Sequence, residues 1–261
     1  NTDAQALTNS PADKKLQLGE SGLGAGARPE VGKQAAEDEL EKIKEALSGS
    51  HMVFITAGMG GGTGTGAAPI VAQAAKEIGA LTVGVVTKPF SFEGPRKFRV
   101  AEEGLNCLEE QVDSLIVILN QKLEQVLGDD ITQLDAFAKA DDVLYNAVAG
   151  IAEIINIAGN VNVDFEDVRT VMSSQGKAMM GTATAQGVDR AKVAAEQATR
   201  SPLLEGVNLS GAKGVLVNIS ASTSLKLKET TMAMEFINSF ADDSAHVIWG
   251  TAIDESLGDD L

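Results

Sequence analysis

The stretch "FITAGMGGGTGTGAAPIV", residues 54–71, places six glycines within residues 58–66. The apolar run "MVFITA" (52–57) predicts a buried strand before them, and "AAPIVAQAAKEIG" (67–79) predicts a helix that holds Pro69 near its first turn. A further apolar run, "LTVGVV" (81–86), predicts a second strand. Strand, helix and strand in so few residues indicate a right-handed parallel βαβ unit. This topology puts the glycines at the carboxyl end of a strand, where open α/β sheets bind ligands.

The glycines themselves indicate an anion-binding loop. Glycine tolerates positive φ and lets a phosphate approach successive amides, and the following helix adds its free N–H groups. A Walker A loop is excluded, because neither Lys nor Arg lies between Thr56 and Gln73. A dinucleotide fingerprint fits Gly62, Gly64 and Ala67, but it requires an acidic residue where the second strand ends in "VVTKPF". A tight turn alone would need far fewer glycines.

The composition restricts the possible classes of function. The chain has 261 residues, 44% of them hydrophobic, and a formal net charge of −16. It can fill a core, but it offers no broad positive surface to nucleic acid or to an anionic membrane. No apolar window predicts insertion into a bilayer, and the polar first residues do not predict a signal peptide. The single cysteine, Cys107, favours the cytoplasm, and His51 and His246 are too isolated to predict a metal site.

Helix and strand patterns alternate along the rest of the chain. Apolar residues at spacings of four, three and four predict a helix over 33–48 that ends at Gly49. A pattern of unusual length, from residue 132 to about residue 158, predicts a central helix with partners on several sides. These patterns predict an α/β fold with two subdomains and a boundary at Gly159 to Asn162. The remaining predicted helices cover 96–111, 120–127, 164–175, 188–199 and 226–241, and the remaining predicted strands are "SLIVIL" (114–119), "MMGTATAQG" (179–187), "GVLVNISAS" (214–222) and "HVIWGTAI" (246–253).

Further motifs are spread along the chain in a fixed order: "NTDAQAL" (1–7), "GLGAGARPEVG" (22–32), "GMGGGTGTGAAP" (58–69), "TKPFSFEG" (87–94), "DSLIVI" (113–118), "NVDFEDVRTVMS" (162–173) and "AMMG" (178–181). They resemble the motifs of the tubulin/FtsZ family, whose signature G-G-G-T-G-[ST]-G is matched at every position by "GGGTGTG" (60–66). The resemblance implies a tubulin-like fold. Its parts would be a Rossmann-like GTP-binding subdomain over 1–131, a central helix over 132–159 and a smaller α+β activation subdomain over 160–261.

The same resemblance implies a function. The chain would be a GTPase that uses GTP/GDP and Mg²⁺, and its subunits would stack head to tail into filaments of the bacterial division ring, in the cytoplasm at the division site. On the same resemblance, these residues lack the family's first strand and first glycine loop, its final strand, and the tail peptide that binds division-ring proteins. The alternative is a module of the same fold that caps or joins filaments without hydrolysing nucleotide.

The resemblance also implies which residues bind the nucleotide. Phosphate contacts would come from the signature loop and from the preceding "GAGARP" loop: Gly60, Gly61, Gly62, Thr63, Gly64, Thr65 and Gly66, with Gly24, Ala25 and Gly26 near the γ-phosphate. Glu93 would contact the ribose, with Lys97 where the family usually has arginine. Asn120 takes the position of a family asparagine and follows Leu119, where proline is usual.

Recognition of the base would come from the predicted central helix. Phe137 would stack on the base and Asp141 would hydrogen-bond guanine; their spacing of four puts both on one helix face. Without the family context, core packing is the favoured explanation of Phe137, and a solvated loop carboxylate explains Glu93 equally well.

Hydrolysis would depend on Asn162, Asp164 and Asp167, at the start of a predicted helix. Spacing alone is explained as well by capping, since Asn and Asp at a helix N-terminus bind free amides. The resemblance implies that this loop reaches the nucleotide of the next subunit and orients the attacking water. Glu166, where the family usually has alanine, adds a negative charge there.

Overall fold

Parallel strands form the centre of the N-terminal part of the chain. In a computed structural model, which describes residues 1–128, 130–157, 161–173, 176–204, 211–242 and 244–261, the strands β1 (Met52–Gly58), β2 (Leu81–Lys88), β3 (Ser114–Leu119) and β4 (Lys177–Ala178) follow one another in one sheet. All of their pairings are parallel. The predicted βαβ unit and the strand at 114–119 are therefore confirmed. The helices around this sheet are α1 (Ala4–Asn9), α2 (Pro29–Asp38), α3 (Leu40–Leu47), α4 (Thr63–Glu77), α5 (Pro95–Glu109) and α6 (Asn120–Leu127).

Strand β2 is the most deeply buried of these strands, because it has a strand on either side and apolar side chains on both faces. Leu81 to Thr87 are all buried, as is typical of a parallel sheet covered by helices. Aliphatic side chains of β1, β2, β3 and α5 form the main core there, with Val53, Ile55, Val86, Leu105, Leu108 and Leu115 as members. A second cluster of Ala35, Ala36, Ile43, Ile70 and Ala74 joins α2, α3 and α4. Their small side chains let these helices approach closely.

Helix α4 begins earlier than the sequence predicts. It starts at Thr63, inside the glycine-rich stretch, so Pro69 is an interior residue rather than a first-turn residue. Glycine has a low helix propensity, which is why sequence patterns place the start after the glycines. Tertiary contacts of the loop override that propensity, as shown below.

The predicted helix over 33–48 is in fact two helices. The chain breaks at Glu39, which ends α2 and precedes α3. The predicted apolar face survives the break, since Ala36 and Ile43 are both buried in the same cluster. Gly49 adopts a φ of 82° just beyond α3, which confirms the predicted glycine at the helix end.

Contacts divide the chain into two compact units, one of Asn1–Leu144 with Gln175–Ala178 and one of Tyr145–Ser174 with Met179–Leu261. The division falls inside the long helix α7 (Gln133–Asn156). The physical reason is that the first part of α7 contacts aromatic residues of the first unit, whereas Ile154 lies against Gly250 in the second. The predicted boundary at 159–162 lies farther along, and residues 159 and 160 are outside the described part. The three-part division of the chain remains a prediction.

The second unit contains a parallel pair of strands, β5 (Gly214–Ala221) and β6 (His246–Ile253). Helices α8 (Phe165–Met172), α9 (Arg190–Thr199) and α10 (Leu227–Asn238) accompany them, so these predicted elements are confirmed. The predicted strand over 179–187 is wrong, because only its neighbours Lys177 and Ala178 pair as a strand. Ala185 exchanges backbone hydrogen bonds with Leu261 alone, which is too little for a ladder. Within the described ranges, no helix is long and apolar enough to cross a membrane.

Candidate nucleotide-binding site

The glycines of the signature loop are required by close packing at several positions. A Cβ on Gly62 would lie 2.7 Å from the Ala25 Cβ, and one on Gly64 would lie 2.6 Å from the carbonyl oxygen of Gly58. A Cβ on Gly66 would lie 2.0 Å from the Pro29 carbonyl oxygen. Real Cβ atoms do not approach backbone this closely. Bare backbone therefore lets the signature loop and α4 lie directly against the 24–28 loop and α2.

Two glycines face open space instead. A Cβ placed on Gly61 or on Gly24 meets no atom within 4 Å. Gly61 precedes the first turn of α4, where free amides and the positive end of the helix dipole favour an anion. Gly24 and Gly26 adopt positive φ, with Ala25 buried between them. The two loops that sequence assigns to the phosphates are thus in contact, and each presents an open glycine.

The two threonines of the signature have different environments. The Thr63 and Thr2 hydroxyl oxygens lie 2.6 Å apart, which links the loop to the first residues of the chain. Thr65 is only 3% exposed, and its Oγ1 accepts the N–H of Gly60 at 2.8 Å. The Thr65 side chain is therefore turned into the protein, whereas sequence assigned it to the nucleotide.

Glu93 and Lys97 form an ion pair after strand β2. The Lys97 ammonium contacts one oxygen of the Glu93 carboxylate, and the other oxygen accepts the Phe90 N–H at 2.9 Å. The stem of Lys97 also packs on the loop, because a Cβ on Gly60 would lie 2.7 Å from the Lys97 Cγ. Sequence predicted both residues as nucleotide ligands. The structure brings them together beside the signature loop.

An aromatic cluster lies beside the carboxyl end of β2. Phe137, on α7, meets Phe90 edge-on with ring centroids 5.1 Å apart, and Phe92 stacks on Phe90 at 5.4 Å. Phe90 is fully buried, whereas Phe137 remains 38% exposed. Phe137 is therefore both a packing residue and an accessible ring. Asp141, one helical turn later, is exposed, and it has no hydrogen bond or ion pair with any residue that the structure describes.

Asn120 supplies a polar atom that lacks a partner. It begins α6 directly after β3 and is only 5% exposed, and its Oδ1 has no hydrogen-bond partner among the described residues. A buried oxygen of this kind is costly unless something donates to it. The signature loop follows β1, Glu93 follows β2, and Asn120 follows β3. All three therefore lie at the same edge of the parallel sheet.

The predicted hydrolytic residues lie in the second unit. Asp164 caps α8, and its carboxylate accepts the N–H of Asp167 at 2.9 Å. Capping is therefore confirmed for Asp164. Asn162, Asp164 and Asp167 are all exposed, so their side chains are accessible to a partner as well.

A groove of about 350 Å³ lies beside the 24–28 loop, bordered by Thr2 and Gly24. Three acidic residues, Glu20, Glu30 and Asp38, are among those that line it. Three carboxylates would repel a phosphate. The groove therefore does not extend the anion-binding loop.

Two residues of the site were missed by sequence analysis. Thr2 holds Thr63, and Gly104 on α5 leaves the space that the Thr65 methyl group occupies. For Gly104 a signal existed, since an isolated glycine inside a helical pattern usually has a packing reason. For Thr2 no sequence signal identified the contact, because it spans 61 positions of the chain.

Comparison with known proteins gives matches over both units. Residues 1–128 match the family model for the GTPase domain of the Tubulin/FtsZ family, and residues 176–261 match that for the C-terminal domain of the FtsZ family. The cell division protein FtsZ of Pseudomonas putida is 58% identical over 100% of this chain and 66% of that protein. FtsZ of Wigglesworthia glossinidia brevipalpis is 53% identical, over 100% of this chain and 69% of its own. The chain thus spans about two thirds of the curated relatives it matches.

Solved structures agree with these matches. The empty FtsZ dimer of M. jannaschii has a TM-score of 0.95 at 46% identity, with 100% of this chain and 76% of that chain covered. CetZ1 from Haloferax volcanii, solved as a GDP-bound monomer, has a TM-score of 0.81 at 22% identity, with 97% and 79% covered. The latter likeness shows a shared fold.

Proposed function

The chain belongs to the tubulin/FtsZ family and carries its GTPase domain in residues 1–128, and from that premise we propose that it binds GTP in the first unit and hydrolyses it when copies stack head to tail. The observation that carries the proposal is the signature loop. It lies at the carboxyl end of β1, opens toward solvent at Gly61 and leads directly into α4. Backbone amides and a helix N-terminus can hold phosphates without a lysine.

Phosphate binding is assigned to the amides around Gly61 and to the adjoining 24–26 loop. Their glycines leave room for phosphate oxygens. Glu93 and its partner Lys97 lie beside the loop and are proposed to contact the ribose and the phosphates. Bound Mg²⁺ would offset part of the phosphate charge. Packing leaves no room for a side chain at Gly62, Gly64 or Gly66, so these three glycines determine the shape of the loop.

Guanine recognition is assigned to Phe137, Asp141 and Asn120. The accessible ring of Phe137 offers a stacking surface, and the exposed carboxylate of Asp141 accepts hydrogen bonds from the N1–H and the 2-amino group that guanine presents and adenine lacks. The orphaned Oδ1 of Asn120 fits a ligand that donates a hydrogen bond.

Hydrolysis is assigned to Asp164 and Asp167 of the neighbouring copy, with Asn162 beside them. Their exposed carboxylates can accept hydrogen bonds from a water and orient it toward the terminal phosphate. Phosphoryl transfer needs positioning and electrostatic stabilisation more than covalent chemistry. A head-to-tail contact that does not close on itself produces a filament. On this proposal, filament growth creates the active site, and the protein acts in the cytoplasm at the division site.

The test is GTP turnover per subunit against protein concentration, with Mg²⁺ present. A rate that rises above a threshold concentration supports a site completed between copies. A flat zero in a folded protein that still binds GTP would instead support a filament-capping module.

A mixing experiment decides whether Asp167 acts on the next copy. Asp167→Ala retains the nucleotide pocket, whereas Asp141→Ala retains the hydrolytic loop. Each variant alone should be inactive, and the mixture should regain turnover because each Asp141→Ala copy supplies Asp167 to a neighbour. Glu166→Ala is the matched control, since it removes an exposed carboxylate from the same turn. A mixture as inactive as its components contradicts the proposal.

A further inference from the structure

Thr65 is the least exposed polar side chain of the signature loop. It is 3% exposed, and its Oγ1 accepts the Gly60 N–H at 2.8 Å in a buried hydrogen bond. Gly60 adopts a φ of 103°, which other residues rarely adopt. The hydroxyl of Thr65 therefore ties the first turn of α4 to the residue that immediately precedes the open Gly61.

Helix α5 lies behind this hydrogen bond and receives the Thr65 methyl group. A Cβ on Gly104 would lie 2.2 Å from the Thr65 Cγ2 and 2.9 Å from the Met59 Cε. The same helix also contacts Gly60 through Lys97. The loop is thus held against α5 at both ends of the Thr65 hydrogen bond, and Gly104 is the residue that makes room for it.

From this geometry we propose that Thr65 is a positioning residue, which fixes the Gly60 amide so that the peptide at Gly61 faces the phosphates. Thr65 acts through the backbone of the loop and does not touch the nucleotide with its side chain. Gly104 is also required for this position of Thr65, because it accommodates the Thr65 methyl group. This inference rests on the proposed function, since it needs a phosphate at the loop.

The two groups on the Thr65 side chain have separate roles, and single substitutions distinguish them. Thr65→Val keeps the shape of the side chain and removes the hydroxyl, so the buried Gly60 N–H loses its acceptor. Thr65→Ser keeps the hydroxyl and removes the methyl group. Thr82→Val is the matched control: Thr82 is also fully buried in this unit, and its hydroxyl donates to the Ala80 carbonyl, away from the loop.

The experiment measures GDP affinity by titration calorimetry together with the urea midpoint of each variant. We expect Thr65→Val to bind GDP about tenfold more weakly than wild type, at a midpoint similar to that of Thr82→Val. Thr65→Ser and Thr82→Val should retain affinity within about twofold. This rescue by serine is a result that a packing role for the methyl group would not give.

Substitution of Gly104 provides a second, independent test of the proposal. Gly104→Ala should weaken GDP binding, because its Cβ collides with the Thr65 methyl group. Adding Thr65→Ser removes that methyl group; the remaining neighbours are the flexible end of Met59 and the residue-65 Cβ at 3.4 Å. The double variant should therefore recover affinity.

Failure of the proposed function and failure of the positioning role give different binding results. If wild type binds neither GDP nor GTP, the proposed function fails. If wild type binds GDP, and Thr65→Val binds it equally well, the positioning role is overturned while the proposed function stands. A double variant no better than Gly104→Ala would overturn the coupling between Thr65 and α5.

Discussion

The two loops assigned to the nucleotide are held in place by opposite means. The glycines of the signature loop in the first unit are held by close packing that leaves no room for side chains, since they lie against the backbone of Pro29 and Gly58. The 162–167 segment of the second unit is fixed by the presence of side chains, since the Asp164 carboxylate binds the Asp167 amide. Close backbone packing leaves no room for an added atom. A capping hydrogen bond can be replaced by another acceptor.

The helix contacts of the two units differ in one respect. Small residues join α2 and α4 in the first unit and α9 and α10 in the second, but the second contact also contains a buried ion pair. Arg190 donates to both Glu229 oxygens, at 2.8 and 3.1 Å, and also to the Asp259 carbonyl. Substitutions at the packed glycines of the signature loop should affect folding and activity together, whereas substitutions in the 162–167 segment should affect them separately.

The largest effect is expected for Gly66→Ala. Its Cβ would lie 2.0 Å from the Pro29 carbonyl oxygen and 2.6 Å from the Lys33 N. Both neighbours are backbone atoms of α2, so relief requires the helices to separate. Overpacking of this kind should lower the free energy of unfolding by about 3 kcal/mol or more, as measured by urea denaturation. GDP affinity should fall with it.

Gly150→Ala is the control for this substitution. Gly150 lies inside α7, and a Cβ there meets nothing within 4 Å. Alanine should stabilise that helix by about 0.5 to 1 kcal/mol. If Gly66→Ala were equally harmless, close packing would not be what holds the signature loop.

The next largest effect concerns the charged contact of the second unit. Glu229→Gln replaces charge-assisted hydrogen bonds to Arg190 with neutral ones, which should lower the free energy of unfolding by about 2 kcal/mol. Glu235→Gln is the matched control, because Glu235 is exposed on the same helix. A loss of stability as large for Glu235→Gln would show that the contact with Arg190 is not the cause.

The same ion pair predicts a pH dependence. Hydrogen bonds from Arg190 lower the pKa of Glu229 below its ordinary value of 4.5. A carboxyl whose pKa is lower in the folded state stabilises the fold above its unfolded pKa, and it loses that contribution as the pH falls through the folded pKa. Wild type should therefore lose its advantage over Glu229→Gln progressively below about pH 4.5, as urea midpoints across this range would show. A constant difference between the two proteins contradicts the linkage.

The sequence predicts the strands well, because they carry continuous apolar runs. β1, β2, β3, β5 and β6 all appear where such runs predict them. It also locates the loop that the family match assigns to a GTPase domain. It does not separate the glycines that pack from the glycine that faces solvent, since a Cβ collision depends on segments such as Pro29 that are distant in the sequence.

Local patterns fail where long-range contacts decide. Helix α4 starts inside the glycines because α2 and α5 hold them, against their low helix propensity. The residues 179–187 alternate as a strand would, yet they lack a neighbouring ladder. The buried position of Thr65 likewise depends on a glycine 39 positions later, so its motif alone suggests a phosphate ligand.

A smaller effect is expected at the cap of α8. Asp164→Ala should lower the free energy of unfolding by about 1 kcal/mol, because the Asp167 amide loses its acceptor. Asp164→Asn should retain that stability, since asparagine caps equally well. Both variants lose the charge, so GTP turnover should fall in both. Normal turnover in Asp164→Asn would mean that the cap, rather than the carboxylate charge, is what hydrolysis requires.

The smallest effect on stability is expected for Phe137→Leu. Its ring meets Phe90 at 5.1 Å and Phe92 at 6.3 Å, both edge-on. A leucine keeps part of the buried apolar area. The loss of the ring contacts should therefore lower the free energy of unfolding by only about 0.5 kcal/mol, in addition to the small contribution of the lost buried area. GDP affinity should nevertheless fall, because the accessible face offered to the base is removed.

Phe236→Leu is the matched control, since Phe236 meets Phe240 at the same 5.1 Å in the second unit. It should cost similar stability and leave GDP affinity unchanged. Equal GDP affinities for the two variants would mean that Phe137 is a packing residue alone. The aromatic cluster would then resemble the packed glycines, because it would shape the site without contacting the nucleotide.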